Sequence, residues 1–354
     1  MASWSLLVLV VWMVFACGVV AARNPMFSIL DNQGGGRVGR SAGDDDHPTL
    51  SVVDARGGGE EDGAAGAVRA VFDLAYHGGA LLSESSSMNV YIVWYGRFSS
   101  VARSAIVDFF ASFGESAEGD ASVSRWWKTT AAYKDNARRG VAGSVELRGE
   151  VDFGECRLGR RLSRWDLELL VVESLGWFPA DPRGVVVVLT AEDVMVEGMC
   201  MNSCGSHSFL APSAATGGQQ VAYAWVGDAG KQCPGMCAWP LAGAEYGPAE
   251  FVPVVAPNGD VGADGMIMNI GSVLAGAATD PYMNGWYQGD VGAALEAGTA
   301  CAGIYGEGAY PGYPGKLQED AVSGASYNVR GVGERKYLLP ALWDPVTRTC
   351  APPS

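Results

Sequence analysis

The sequence predicts an α+β fold in which helices pack on a mixed sheet. Of 354 residues, 48% are hydrophobic and 18% are charged, which is enough apolar material for a large core. Short runs of β-branched and aromatic residues are interspersed with segments of helical periodicity. About eighty residues at the C-terminus show neither pattern and are rich in Gly, Pro and Tyr, which predicts long ordered loops.

Eight elements follow from these patterns. The apolar run 89–95 is a strand that Gly96 ends, and Ser99 or Ser100 can cap the next helix. Leu167, Leu170 and Val171 recur at the spacing of an amphipathic helix. In chain order we predict a strand at 89–95, helices at 100–113 and 122–133, a strand at 144–153, a helix at 163–175, strands at 184–189 and 220–226, and a helix at 264–278.

The N-terminal part of the chain has a different composition. Residues 1–22 are uncharged and apolar and end in small residues, which predicts a secretory signal peptide; a membrane anchor is the alternative. Residues 23–66 are rich in Gly and Asp and predict a flexible acidic leader or propeptide, or alternatively a ligand-like tail. The folded domain is therefore expected at 67–354, without stable membrane insertion after signal cleavage.

The charge balance excludes some partners. Lys and Arg number 24 against 39 Asp and Glu, which gives a formal net charge of −15. Such a chain repels nucleic-acid backbones and anionic membranes. The sequence contains three histidines, which leaves little room for histidine-rich metal chemistry.

Cysteine usage predicts disulfides in an oxidising compartment. Removal of Cys17 with the signal peptide leaves an odd count, and Cys156, which stands alone, is the candidate free thiol. We expect the two CxxxC pairs to staple local loops and the last two cysteines to pair, among fifteen possible arrangements. The alternative is a zinc site made by the CxxxC pairs with His207 nearby. The six cysteines are Cys200, Cys204, Cys233, Cys237, Cys301 and Cys350.

Few patterns carry catalytic chemistry. No P-loop, G-x-S-x-G or HExxH motif occurs. Glu192, Asp193 and Glu197 follow a predicted strand and can supply paired carboxylates for glycoside hydrolysis, although solvated charges at a strand end are the simpler interpretation. Asp260 and Asp264 lie in a Gly-rich turn that lacks calcium-loop spacing, and we predict that Asp264 caps the following helix.

Tryptophan is a second source of candidates, because an exposed indole can stack on a sugar ring whereas a buried one belongs to the core. The sequence alone does not separate the two cases. The candidates are Trp126, Trp127, Trp225, Trp239, Trp286 and Trp343.

Several segments, in order over about residues 70–350, resemble the EXORDIUM or phosphate-induced protein family of plants. They are YHGGALLS at 76–83, NVYIVWYGRF at 89–98, RWWKTT at 125–130, LTAEDV at 189–194, CMNSCGSH at 200–207, CPGMCAWP at 233–240, APNGD at 256–260, DGMIMN at 264–269 and RKYLLPALWDP at 335–345. The resemblance implies a secreted protein of the apoplast or cell wall that promotes cell expansion under brassinosteroid or nutrient control, without established catalytic activity. The leader 23–66 and Cys156 depart from the family pattern.

A second, weaker resemblance concerns the fold. Residues 269–281, followed by Gly-Trp-Tyr at 285–287, are similar to a segment of secreted metallopeptidase-like proteins in which an HExxH or HExxE helix precedes this turn. In that alignment the metal and base positions hold Ser272, Val273 and Gly276, none of which binds zinc or moves a proton. The resemblance thus implies a zincin-like scaffold with a degenerate metal site.

The function that these observations predict is non-enzymatic, with no metal and no cofactor. The protein would bind a cell-wall component or an extracellular receptor through its Tyr-, Gly- and Pro-rich loops. The alternative is an extracellular hydrolase of wall polysaccharide or peptide that uses Glu192, Glu197 or Asp260. The candidate binding residues are Trp239, Trp286, Tyr287, Tyr310 and Tyr313.

Overall fold

A computed structural model describes residues 73–114, 121–244 and 251–353, all within one compact unit, Gly63–Ser354. The predicted signal peptide and leader lie outside the described residues. The helices are α1 Ser100–Ala111, α2 Val123–Trp127, α3 Arg164–Ser174, α4 Pro234–Cys237 and α5 Val261–Thr279. The strands are β1 Ala75–Tyr76, β2 Ser87–Tyr95, β3 Ser144–Phe153, β4 Arg161–Leu162, β5 Gly184–Thr190, β6 Met195–Val196, β7 Gly205–Leu210, β8 Val221–Gly227, β9 Trp286–Tyr287, β10 Gln318–Glu319, β11 Ser326–Tyr327, β12 Val329–Arg330, β13 Lys336–Tyr337, β14 Leu342–Asp344 and β15 Thr349–Ala351.

A five-stranded sheet in the order β3-β2-β5-β8-β7 organises the domain. The first four strands are parallel, and β7 closes one edge antiparallel to β8, with His207 opposite Ala224. Every residue of β5 and β8 is buried, as expected for strands covered on both faces. The predicted α+β class with a mixed sheet is therefore confirmed.

The two faces of the sheet have separate cores. On the first face, α1, α2, α5 and the C-terminal segment pack around the aromatic side chains of Trp94, Phe109, Trp127 and Trp343. On the second face, α3 covers β2 and β5. Alternate residues of β2 point to opposite faces, so Ile92 belongs to the first core and Val93 to the second.

Side-chain caps fix the starts of the helices that flank the sheet. The Ser99 hydroxyl accepts a hydrogen bond from the Ala102 amide, so α1 begins where the sequence predicts. Ser163 and Asp166 form a capping box at the start of α3. The prediction of one helix over 122–133 is wrong: α2 ends at Trp127, and a 3₁₀ turn at Thr130–Ala132 follows. The Thr130 hydroxyl donates a hydrogen bond to the Trp127 carbonyl. This carbonyl is therefore engaged by a side chain where a continuing helix would use it as a backbone acceptor.

Helix α5 is the longest helix among the described residues and runs through the first core. Asp260 caps it by accepting from the amides of Gly262 and Ala263, so the prediction that Asp264 is the cap is wrong. Asp264 is instead buried in the first turn, where it accepts from Asn258. By length and composition α5 could cross a membrane, but 83% of that stretch is buried inside the domain, as in the core helix of a soluble protein.

The disulfides differ in part from the prediction. Cys301 pairs with Cys350 as expected, and Cys156 is a free, buried thiol. The expected local staples are wrong, because Cys200 pairs with Cys233 and Cys204 with Cys237. Cys233, the N-cap of α4, and Cys237, its last residue, are four residues apart and share one side of the helical turn, so both face the 200–204 segment. Two parallel bridges thus hold α4 against the turn that precedes β7.

Candidate functional site

The carboxyl ends of the parallel strands form the edge where α/β sheets usually bind ligands. The chain leaves β2 to one side to form β3 and then crosses back to form β5 on the other side. This reversal creates a crevice between the ends of β2 and β5, beside the starts of α1 and α5. A cavity of about 290 Å³ lies there, lined among others by Arg97, Ser99, Glu192, Asp228, Lys231 and Asp260.

Three carboxylates make this cleft acidic. Glu192 and Asp260 were candidates from the sequence, and the fold brings them into the same cleft with Asp228. Burial raises the pKa of Asp228, the charges of Asp260 and Glu192 raise it further, and a hydrogen bond from the Gly230 amide opposes the shift. Lys231 pairs with Glu192 at 2.5 Å. The cleft therefore holds one carboxyl group with a raised pKa beside two others.

The other two candidate carboxylates lie elsewhere. Glu197 accepts a hydrogen bond from the Arg164 amide at the start of α3. Asp193 is exposed and pairs with Arg160. The predicted trio of Glu192, Asp193 and Glu197 is thus dispersed, because the chain turns between them.

The positions that correspond to a peptidase metal site all lie on α5. The Ser272 hydroxyl donates to the Met268 carbonyl, and Val273 is half-buried against the first core. Gly276 is the informative position, since a Cβ there would lie 2.4 Å from Glu296 Oε2 and 3.0 Å from His207 Nε2. The side chains of Glu296 and His207 occupy the space that a metal-binding side chain at position 276 would need.

His207 and Glu296 form a buried pair that the sequence did not reveal. His207 Nε2 lies 2.9 Å from both carboxylate oxygens of Glu296 and joins the edge strand β7 to the loop that follows β9. Burial lowers the pKa of His207, but the charge and hydrogen bond of Glu296 outweigh it and the net shift is upward. Asp280, at the end of α5, is fully buried beside this pair, and burial raises its pKa. The partners are 89 residues apart, and nothing in the sequence links His207, at the end of the segment 200–207, to Glu296.

These groups do not make a metal centre. Across the described ranges, no three His, Cys, Asp or Glu side chains converge as a metal site requires. The three positions on α5 have no metal-binding side chain, and the nearest imidazole is occupied by Glu296. The zincin-like interpretation of the fold therefore finds no support in the site.

Three of the five predicted binding aromatics are packed within the fold. Trp286 stacks on Tyr76 with ring centroids 5.5 Å apart, and its indole nitrogen donates to the Lys134 carbonyl. Tyr287 stacks on His77 at 3.8 Å. Trp239 packs against the rings of Phe251 and Tyr305. These side chains are half-buried and hold loops together.

The other two, Tyr310 and Tyr313, are 64% and 38% exposed at the tip of a ribbon formed by residues 305–316, the tyrosine hairpin. Each tyrosine amide donates to the other's carbonyl, at 3.0 and 2.8 Å, across a Pro-Gly turn in which Gly312 has φ +90°. The two rings lie 5.1 Å apart. At the base, a Cβ on Gly315 would lie 2.2 Å from the Gly306 carbonyl oxygen, so the close approach of the two strands requires glycine. The hairpin thus presents two aromatic rings in a fixed arrangement.

The similarity to known proteins extends over the part of the chain that holds these residues. Residues 74–353 match the phosphate-induced protein 1 conserved region. Protein EXORDIUM-like 2 and Protein EXORDIUM of Arabidopsis thaliana are each 44% identical, over 78% of this chain and 88% of the relative. Protein PHOSPHATE-INDUCED 1 of Nicotiana tabacum is also 44% identical, over 78% of this chain and 87% of its own length. No solved structure matches the chain.

Proposed function

The chain belongs to the EXORDIUM and phosphate-induced protein 1 family, and we propose that it is secreted and promotes growth in the plant cell wall by binding a wall component or an extracellular receptor. The names of its relatives do not denote enzymes. The observation that carries the proposal is the tyrosine hairpin, which keeps two aromatic rings exposed at a tip fixed by backbone hydrogen bonds. Rigid aromatic side chains lose little entropy when they bind, so they are effective contact residues.

Two further observations support an extracellular location. Six cysteines form three disulfides, a chemistry that persists in oxidising compartments. The uncharged apolar segment 1–22 has the composition of a signal peptide. The full chain carrying a C-terminal fluorescent protein should therefore accumulate outside the plasma membrane of plant cells, and deletion of residues 1–22 should retain it inside.

The binding proposal is tested on the hairpin. The double variant Tyr310→Ala, Tyr313→Ala should lower retention of the purified chain on isolated plant cell-wall material by about 10-fold or more, because buried aromatic contacts dominate binding energy. The control is Val346→Ala, which removes an exposed apolar side chain in a different hairpin, β14–β15. Unchanged retention of the tyrosine variant would contradict a role of the hairpin.

A second candidate, an extracellular hydrolase, is favoured by one observation, the raised pKa of Asp228 beside Asp260 and Glu192. Glycoside hydrolysis uses a pair of carboxyl groups, one of which has a raised pKa. Against it, Asp228 and Asp260 each accept from the backbone of their own loop or helix start, as structural caps do. Release of reducing sugars from wall polysaccharide that disappears in Asp228→Asn would favour the hydrolase over the binding protein.

A further inference from the structure

Two tryptophans that the sequence did not single out are the most exposed indoles among the described residues. Trp165 is 65% exposed and Trp177 is 60% exposed. By contrast, the remaining described tryptophans are buried or half-buried: Trp94, Trp126, Trp127, Trp225, Trp239, Trp286 and Trp343. Exposed tryptophan is costly in water and is typical of binding surfaces.

Trp165 belongs to a row of exposed apolar side chains along α3. Trp165, Leu169 and Val172 are spaced by four and three residues, so they share the helix face opposite Leu167 and Leu170, which pack on the sheet. Trp177 follows the end of the helix. The helix has eleven residues and is therefore roughly 16 Å long, so the two indoles lie near opposite ends of the row. We call Trp165, Leu169, Val172 and Trp177 the tryptophan ridge.

The far end of the ridge is fixed by neighbouring side chains. The Trp177 ring packs edge-on against Phe153 at 5.5 Å. The Arg157 guanidinium lies 5.8 Å from the centre of the Phe153 ring and pairs with Glu173 in the last turn of α3. The indole is thus held in place while most of its surface stays in solvent.

The charged side chains near the ridge have polar partners. Arg157 pairs with Glu173, Arg160 pairs with Asp193, and Arg164 donates to the Ser206 hydroxyl. The row is therefore an apolar surface bordered by charged and hydrogen-bonding groups, on a chain of net charge −15. This charge disfavours an anionic polymer or an anionic membrane.

We infer that the tryptophan ridge binds an uncharged polysaccharide, whose sugar rings stack on the two indoles and whose hydroxyls reach the flanking charged groups. A sugar ring has an apolar C–H face and a polar rim, which matches a narrow aromatic row with polar borders. A specific protein partner would need a compact surface of about 800 Å², whereas the exposed apolar side chains of α3 form a single row. The inference does not depend on the tyrosine hairpin or on catalysis.

The experiment measures binding of the purified full chain to xyloglucan, an uncharged polysaccharide, by affinity electrophoresis and by tryptophan fluorescence. Trp165→Ala and Trp177→Ala should each weaken binding by about 10-fold or more. The conservative variant Trp165→Tyr should retain most of the affinity, since it keeps a ring that can stack. The matched control is Val101→Ala, which removes an exposed apolar side chain from α1.

Four outcomes would overturn the inference: no binding of the wild-type chain to xyloglucan, equal affinity of wild type and both alanine variants, binding to polygalacturonate in preference to xyloglucan, or a wild-type dimer that dissociates in Trp165→Ala. The last outcome would mean that a second copy covers the ridge. Xyloglucan binding is measured on the ridge variants, and retention on whole wall material is measured on the hairpin variant. Failure of the ridge can thus be distinguished from failure of the proposed function, which the hairpin variant tests on whole wall material.

Discussion

The two faces of the central sheet are covered in different ways. The first face is enclosed by α1, α2, α5 and the C-terminal segment, and its largest aromatic side chains are fully buried. The second face is covered by α3, and Trp165 on α3 and Trp177 just after it remain exposed to solvent. The difference indicates that aromatic residues stabilise the fold on the first face, whereas on the outer surface of the second they are available for contact.

The largest expected effect is on the first face. Trp127→Ala removes a fully buried indole and leaves the Ala142 carbonyl without its donor at 2.9 Å. We expect the free energy of unfolding to fall by about 3–5 kcal/mol, because the cavity adds to the lost burial. Urea denaturation followed by circular dichroism measures it. A loss below about 1 kcal/mol would mean that the first face is not the main source of stability.

The two faces should also respond differently to acid. On the first face, burial raises the pKa of Asp264 to about 6, and it also raises the pKa of Asp280. On the second face, hydrogen bonds from Ser163 lower the pKa of Asp166. Burial alone would raise the pKa of Asp181, but hydrogen bonds from Asn89 and the Arg183 backbone outweigh it and lower that pKa.

The pKa shifts on the two faces have opposite directions, so stability should be greatest at mildly acidic pH. An acid whose pKa is raised by folding stabilises the fold when protonated, and that contribution is lost as the pH rises from its unfolded value near 4 through about 6. An acid whose pKa is lowered by folding contributes above its unfolded value and loses the contribution as the pH falls further. Between pH 4 and pH 7 we expect Asp264 to cost about 2 kcal/mol of unfolding free energy. Urea midpoints across this range measure it.

The variant Asp264→Asn isolates that contribution. It should be less stable at pH 4, since Asn258 loses an acceptor, but its unfolding free energy should change less between pH 4 and pH 7 than that of the wild type. An unchanged slope would assign the pH dependence to other groups, such as the pair of His207 and Glu296.

The sequence predicted the elements that cross the core more reliably than the contacts between them. Helix α3 was predicted within one residue at each end, because its cap and its buried stripe are both local signals. The pairing of Cys200 with Cys233 was missed, since it depends on two distant turns that meet only in the folded chain. The pair of His207 and Glu296 was missed for the same reason.

Exposure was the least predictable property of the candidate site residues. Trp286 and Trp165 are both followed by polar and apolar residues in a mixed pattern, yet one packs between Tyr76 and Tyr133 and the other stands in solvent. A helical stripe indicates which residues share a face, but only the position of the sheet decides which face is inside. On α3, Leu167 and Leu170 face inward, whereas Trp165 faces outward.

The smallest expected effect sharpens the contrast between the two faces. Trp165→Ala should change the free energy of unfolding by less than about 0.5 kcal/mol, because the side chain is 65% exposed and its removal opens no internal cavity. The measurement is the same urea denaturation that reports on Trp127→Ala, with Val101→Ala as a control for loss of an exposed apolar side chain. A loss of 2 kcal/mol or more, of the order seen for a buried side chain, would contradict the exposed position of Trp165. A near-zero effect together with weakened polysaccharide binding would separate contact from stability in a single side chain.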